Sequence, residues 1–104
     1  MANRWNIPEW LEKEIRAREK VCVYCRAEFT SAKVSKRLAA SWEHIVNDAR
    51  VITRENIALC CCGCNASKGQ KALTVWLQSE YCKMHGIDQS TLAPIIKPAI
   101  ENGR

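Results

Sequence analysis

A small α+β fold, a strand pair flanked by helices and braced by a metal, is predicted by three features of the 104-residue sequence. Two Cys-x2-Cys pairs, Cys22/Cys25 and Cys61/Cys64, are separated by 35 residues. Between them lie two short β-prone runs, SWEHIV (41–46) and NIALC (56–60). Apolar residues at helical spacing occupy both flanks. A chain of this length is a single domain, and its core alone leaves it only marginally stable; a bound metal supplies the missing folding free energy. The expected organisation is an N-terminal helix over 1–20, a knuckle and strand–strand–helix core over 21–70, and a C-terminal helical extension over 71–104.

Pro8 suits the first turn of a helix, and Trp10, Leu11 and Ile15 form the apolar stripe that would face the core. Glu9/Lys13, Glu12/Arg16 and Glu14/Arg18 are i, i+4 pairs in the favourable order on the other face, so the helix is expected over about 8–20. VCVYC (21–25) is β-prone and compact. Phe29 and a basic polar stretch with Lys33, Lys36 and Arg37 follow, and read as a loop. The two strands are joined by NDARVITRE (47–55), where Asn47-Asp48 is ordinary turn chemistry; an acidic helper role for Asp48 is the alternative. Helix signals return after Asn65. Leu73, Trp76, Leu77, Tyr81 and Met84 keep helical spacing until Gly86 stops them. Pro94 and Pro98 make the tail from Asp88 a short helix or an irregular packing arm.

Sixteen Lys and Arg against eleven Asp and Glu give a net charge of +5, which favours an anionic partner. The start, MANRWNIPEW, has no apolar leader, and no run approaches a membrane span. A reducing cytoplasmic setting is therefore expected, where clustered cysteines bind metal more often than they pair, and the odd count of seven argues against a disulfide framework.

Only Cys22/Cys25 and Cys61/Cys64 share the x2 spacing, and two such pairs suit tetrahedral zinc, each short loop pointing two sulfurs at one centre about 2.3 Å away. Cys60 and Cys62 then point elsewhere, Cys60 as a small buried hydrophobe. Cys82-x2-His85 is a rival half-site, which would need both side chains to turn back from a helix end. A redox role is weaker, since no βαβ pattern surrounds either pair.

The residues beside these ligands are Glu43-His44-Ile45-Val46, Asn56-Ile57-Ala58-Leu59 and Cys61-Cys62-Gly63-Cys64-Asn65-Ala66-Ser67-Lys68-Gly69. Over roughly residues 20 to 70 the chain resembles the HNH endonucleases. Their pattern is an acidic residue, His and an aliphatic pair, then Asn-aliphatic-x-Leu, then C-x2-C-N-x2-K-G. Asn56 and Asn65 keep the family's spacing of nine. The resemblance implies a ββα-metal, treble-clef-like fold with a four-cysteine structural zinc. It departs at two points: Glu43 stands where members usually carry Asp, and Asn47-Asp48 where they carry Pro.

An HNH site hydrolyses a phosphodiester, and the residue types suit that. His44 can take a proton from water near neutral pH. Glu43 and Asn65 offer two hard oxygens to Mg²⁺ or Mn²⁺, although Asn65 could instead be only a helix cap. By resemblance Asn56 is not a ligand: it bonds across the inter-strand loop and holds His44 in its pose. Lys68, Lys71, Arg50 and Arg54 are candidate phosphate contacts, which position a strand without reading bases. The expectation is a metal-dependent endonuclease on double-stranded DNA, nicking as a monomer with modest sequence specificity and needing no small-molecule cofactor. A non-catalytic zinc-braced nucleic-acid-binding module is the alternative.

Overall fold

Leu11 and Ile15, four residues apart, are fully buried on the inner face of the first helix, α1 (Glu9–Arg18), and fix how it lies against the rest of the chain. The computed structural model describes residues 6–46, 48 and 50–101, so Asn47 of the expected turn lies outside the described residues. Trp10, placed in the core stripe on sequence, is 59% exposed. It is one residue, about 100° of helix rotation, away from Leu11 and shares the flank of Glu14. There it lies under the Arg54 guanidinium, 5.7 Å from the ring centre. Glu9 and Lys13 form the expected pair at 3.3 Å, whereas Glu14 pairs with Arg54 rather than Arg18. Arg18 instead binds Glu19 and donates to the carbonyls of Arg54 and Ile57, both at 2.8 Å, which anchors α1 to the strand that starts there.

The knuckle after α1 closes with Cys22 N–H to Ala27 O (2.9 Å) and Arg26 N–H to Cys22 O (3.1 Å), and Arg26 takes a left-handed φ of 68° to allow it. The basic stretch is a loop, as expected, held by turns at Ser31 to Ser35. Strands β1 (Ala40–His44) and β2 (Ile57–Cys61) pair antiparallel, with Trp42 opposite Leu59 and His44 opposite Ile57. All five β2 residues are buried, because both faces of the pair are covered. Ile57 and Leu59 pack with Ile7, Leu11 and Ile15 under α1; Ala58 and Cys60 face the larger cluster that contains Tyr24, Trp76, Leu92 and Ile96.

Helix α2 (Cys62–Lys68) starts three residues before Asn65, earlier than the sequence signals suggest. Its exposed amides find partners that only tertiary structure supplies. Cys64 N–H donates to Cys61 Sγ, and the Cys62 and Gly63 amides donate to the Ala39 and Arg37 carbonyls, both at 2.9 Å. A Cβ at Gly63 would come within 2.6 Å of the Arg37 side chain, so only glycine permits this approach. The helix expected from Leu73 to Met84 is broken into α3 (Leu73–Trp76) and α4 (Glu80–Met84). Ser79 breaks it by capping α4, its hydroxyl accepting from Cys82 N–H. The tail is a packing arm: a 3₁₀ turn at Pro94–Ile96 runs into α5 (Lys97–Glu101), and Ala93 N–H donates to Val23 O at 2.9 Å, tying the arm to the knuckle. Among the described residues no helix is long and apolar enough to cross a membrane.

Candidate functional site

Two chain reversals, one between α1 and β1 and one at the β2–α2 junction, bring Cys22, Cys25, Cys61 and Cys64 together. Their sulfurs all lie within 4.8 Å of one another, and among the described residues this is the group of metal-ligating side chains so gathered. Tyr24 N–H (3.4 Å) and Cys25 N–H (3.5 Å) donate to Cys22 Sγ, and Cys64 N–H (3.4 Å) to Cys61 Sγ. Amides aimed at sulfur in this way orient and stabilise thiolates. Hydrogen bonds from Cys61 and Cys64 hold the Cys22 thiol far below its ordinary range, and sharing with Cys22 pushes Cys61 up to about 11. Four soft sulfur donors gathered within one another's reach, closed to solvent on most sides, suit a structural metal such as zinc. Cys60 is buried, and half-buried Cys62 lies outside the four-sulfur group, as expected. The rival half-site does not assemble: Cys82 is in the core, while exposed His85 lies tilted against the Tyr81 ring at 4.3 Å.

Alternation along β1 sends Glu43 toward α2 and His44 toward α1. Glu43 is only 5% exposed, and its Oε2 accepts from Tyr24 Oη at 2.6 Å and meets Lys68 Nζ at 3.2 Å. Burial raises the Glu43 pKa, with Lys68 and Tyr24 opposing the rise. Burial and the neighbouring carboxylate raise the Tyr24 pKa well above its ordinary value, so its hydroxyl stays a donor. The expectation that Lys68 contacts phosphate does not fit this placement. Lys68 is 1% exposed, and its ammonium is the counter-cation of Glu43, drawn inward because an unpaired buried carboxylate is costly. Local spacing gives neither Tyr24 nor Lys68 as a partner of Glu43; Tyr24 reads only as part of the β-prone run VCVYC.

His44 ends β1 and is 7% exposed; burial lowers its pKa, which the Asp48 carboxylate partly opposes. Just beyond it Asn56 clasps the inter-strand loop. Its Oδ1 accepts from Val46 N–H at 2.7 Å, and its Nδ2 donates to Val51 O at 3.0 Å. Asp48 is a turn residue, its carboxylate taking the Arg50 amide and guanidinium and held down at about 2 by them.

Asn65 lies inside α2 rather than at its cap. Its Nδ2 donates to Ser41 Oγ (3.0 Å) and Trp42 O (3.1 Å), and the residue lines a shallow recess with Ser41, Cys62 and Ala66. Ser41 and Glu43 share one face of β1, and Asn65 and Lys68, three apart, one side of α2. Glu43 and Asn65 therefore sit in the same layer, and the cation already beside Glu43 is an ammonium. Of the other candidate phosphate contacts, Arg50 is exposed beside Asp48, Arg54 is held by Glu14 at 2.7 and 3.0 Å, and exposed Lys71 donates to Ser67 O.

No family model, no curated protein and no solved structure matches the chain.

Proposed function

We propose that the chain is a metal-dependent DNA endonuclease of the HNH kind, with a structural zinc on Cys22, Cys25, Cys61 and Cys64. In this reading Glu43 and Asn65 hold Mg²⁺ or Mn²⁺, His44 is the general base, and Asn56 positions it. The observation that supports it most is the arrangement around the end of β1. The strand stops at His44, on the face opposite Glu43, and Asn56 fixes the loop that follows; Asn65 meets the strand further back, at Ser41 and Trp42.

His44 takes a proton from water as the water oxygen attacks phosphorus; the bond to the 3′ oxygen breaks, that oxygen takes a proton from solvent, and His44 returns its own proton to solvent. A lowered His44 pKa keeps the imidazole neutral, and so able to accept, at pH 7. A bound divalent cation would supply positive charge to the phosphate oxygens. Exposed Arg50 and Lys71 give phosphate contacts near the site, and one site cuts one strand.

The second reading, a zinc-braced module that binds nucleic acid without turnover, is favoured by one observation: Glu43 already has Lys68 as its partner. Conversion of supercoiled plasmid to open circle separates the two. Cleavage should need Mg²⁺ or Mn²⁺, and His44→Ala should lower it about 10²- to 10⁴-fold while zinc content and DNA binding persist. DNA binding with no cleavage under any divalent metal would leave the binding module standing.

A further inference from the structure

We propose that Tyr24 is a positioning residue for Glu43, carrying the rigidity of the four-cysteine brace to the carboxylate that would take the catalytic cation. The inference rests on the nuclease reading and adds a residue to it.

Tyr24 stands between two of the clustered cysteines and touches both centres. At its backbone end the amide donates to Cys22 Sγ at 3.4 Å; at its far end the hydroxyl donates to Glu43 Oε2 at 2.6 Å. Between them the ring is fully buried and packs edge-on against Trp76, with centroids 5.0 Å apart. A buried tyrosine must give its hydroxyl a hydrogen-bond partner. This one spends it on a carboxylate. Lys68 meets the same oxygen, so Tyr24 and Lys68 converge on Oε2, and Oε1 takes neither of these bonds.

The consequence is directional. With both donors on Oε2, the carboxylate plane is fixed and Lys68 holds only part of its charge. Without the hydroxyl, Lys68 is left as the charged partner of a carboxylate that only the His44 amide also restrains, and an incoming divalent cation competes against a closer ion pair.

Tyr24→Phe keeps the ring and removes the donor. One zinc per chain and wild-type affinity for duplex DNA are expected to remain. Affinity for Mn²⁺, read from the electron paramagnetic resonance signal of the free ion, should fall roughly tenfold, the worth of a hydrogen bond to a charged group. Nicking should need correspondingly more Mn²⁺ and recover at saturation. In a Glu43→Gln background the same change should have no further effect on Mn²⁺, which a packing role would not predict. Unchanged Mn²⁺ affinity in Tyr24→Phe overturns the proposal, and so does loss of zinc, since the hydroxyl would then serve the brace. A wild-type chain that neither binds Mn²⁺ nor nicks fails one step earlier, at the nuclease reading itself.

Discussion

Lys68→Met is the perturbation that most directly tests the buried pair between α2 and β1. Methionine nearly matches the length and volume of the lysine stem, so packing is kept while the ammonium is lost. Both partners are almost wholly buried, Lys68 at 1% and Glu43 at 5% exposure. Breaking such a pair from one side costs about 3–5 kcal/mol, because it strands a charge away from water. Two features place this site at the low end, near 3 kcal/mol: Tyr24 still donates to Oε2, and Glu43 can take a proton, its pKa being already raised by burial. In urea at pH 7 with zinc present, the midpoint should fall by roughly 2 M for a chain of this size. The Lys68→Met/Glu43→Gln double variant should be more stable than Lys68→Met alone, since no charge is then left unpaired. A raised folded-state pKa means that the protonated acid is favoured in the fold. The deficit is therefore full above that pKa and shrinks as pH falls through it toward the unfolded value. A loss below about 1 kcal/mol, the worth of a surface ion pair, would refute the buried-pair account.

Other outcomes follow from the same geometry. Cys25→Ser or Cys61→Ser should lose the zinc and unfold the chain, whereas Cys60→Ser, Cys62→Ser and Cys82→Ser should each retain one zinc by elemental analysis. Full retention in Cys61→Ser would remove the ligand assignment. Asn56→Ala strips the Val46 amide and Val51 carbonyl of their partner and should cost about 1–3 kcal/mol in denaturant unfolding, together with most of the cleavage rate. Cleavage should rise with pH through the His44 titration and level off by neutrality, because burial moves that titration below 6.5; a rate still climbing at pH 8 would exclude His44 as the limiting base. Affinity for duplex DNA should fall log-linearly with salt, and Lys71→Ala should flatten that slope by about one unit, with a smaller effect from Arg54→Ala because Glu14 already holds that guanidinium.

The residues that could be read from sequence are those whose role follows from local spacing. The Cys-x2-Cys pairs, the two strands and the buried Cys60 depend on offsets of two or three residues; the fold places the cysteines as expected and the strands within two residues of their expected ends, β1 stopping at His44 and β2 starting after Asn56. What escaped is set by distant partners. Lys68 looks like a surface charge in any local window; only its position opposite Glu43, 25 residues earlier in the chain, turns it inward. Trp10 is as apolar as Leu11, and a rotation of one residue decides which faces the core. Helix α2 could not be placed correctly because its start depends on a cysteine sulfur and on carbonyls from the preceding loop. The break before α4 has a local signal in Ser79, which five apolar residues at helical spacing mask. The assignment of catalytic roles to Glu43, His44 and Asn65 still rests on the resemblance, and the assays above decide it.

A metal held by the four cysteines would fasten the chain to itself across the 35 residues between the two pairs. Closing a flexible segment of that length costs about 3 kcal/mol in chain entropy, on top of ordering everything within it. Glu43, His44 and Asn56 all ride inside the segment, and Asn65 directly follows Cys64, the last of the four cysteines. A chain deprived of zinc should therefore not persist as a folded but idle protein. It should come apart as a whole, and restoring the ion should return shape and chemistry in one step, so that zinc supply sets how many competent molecules exist rather than how fast each one works.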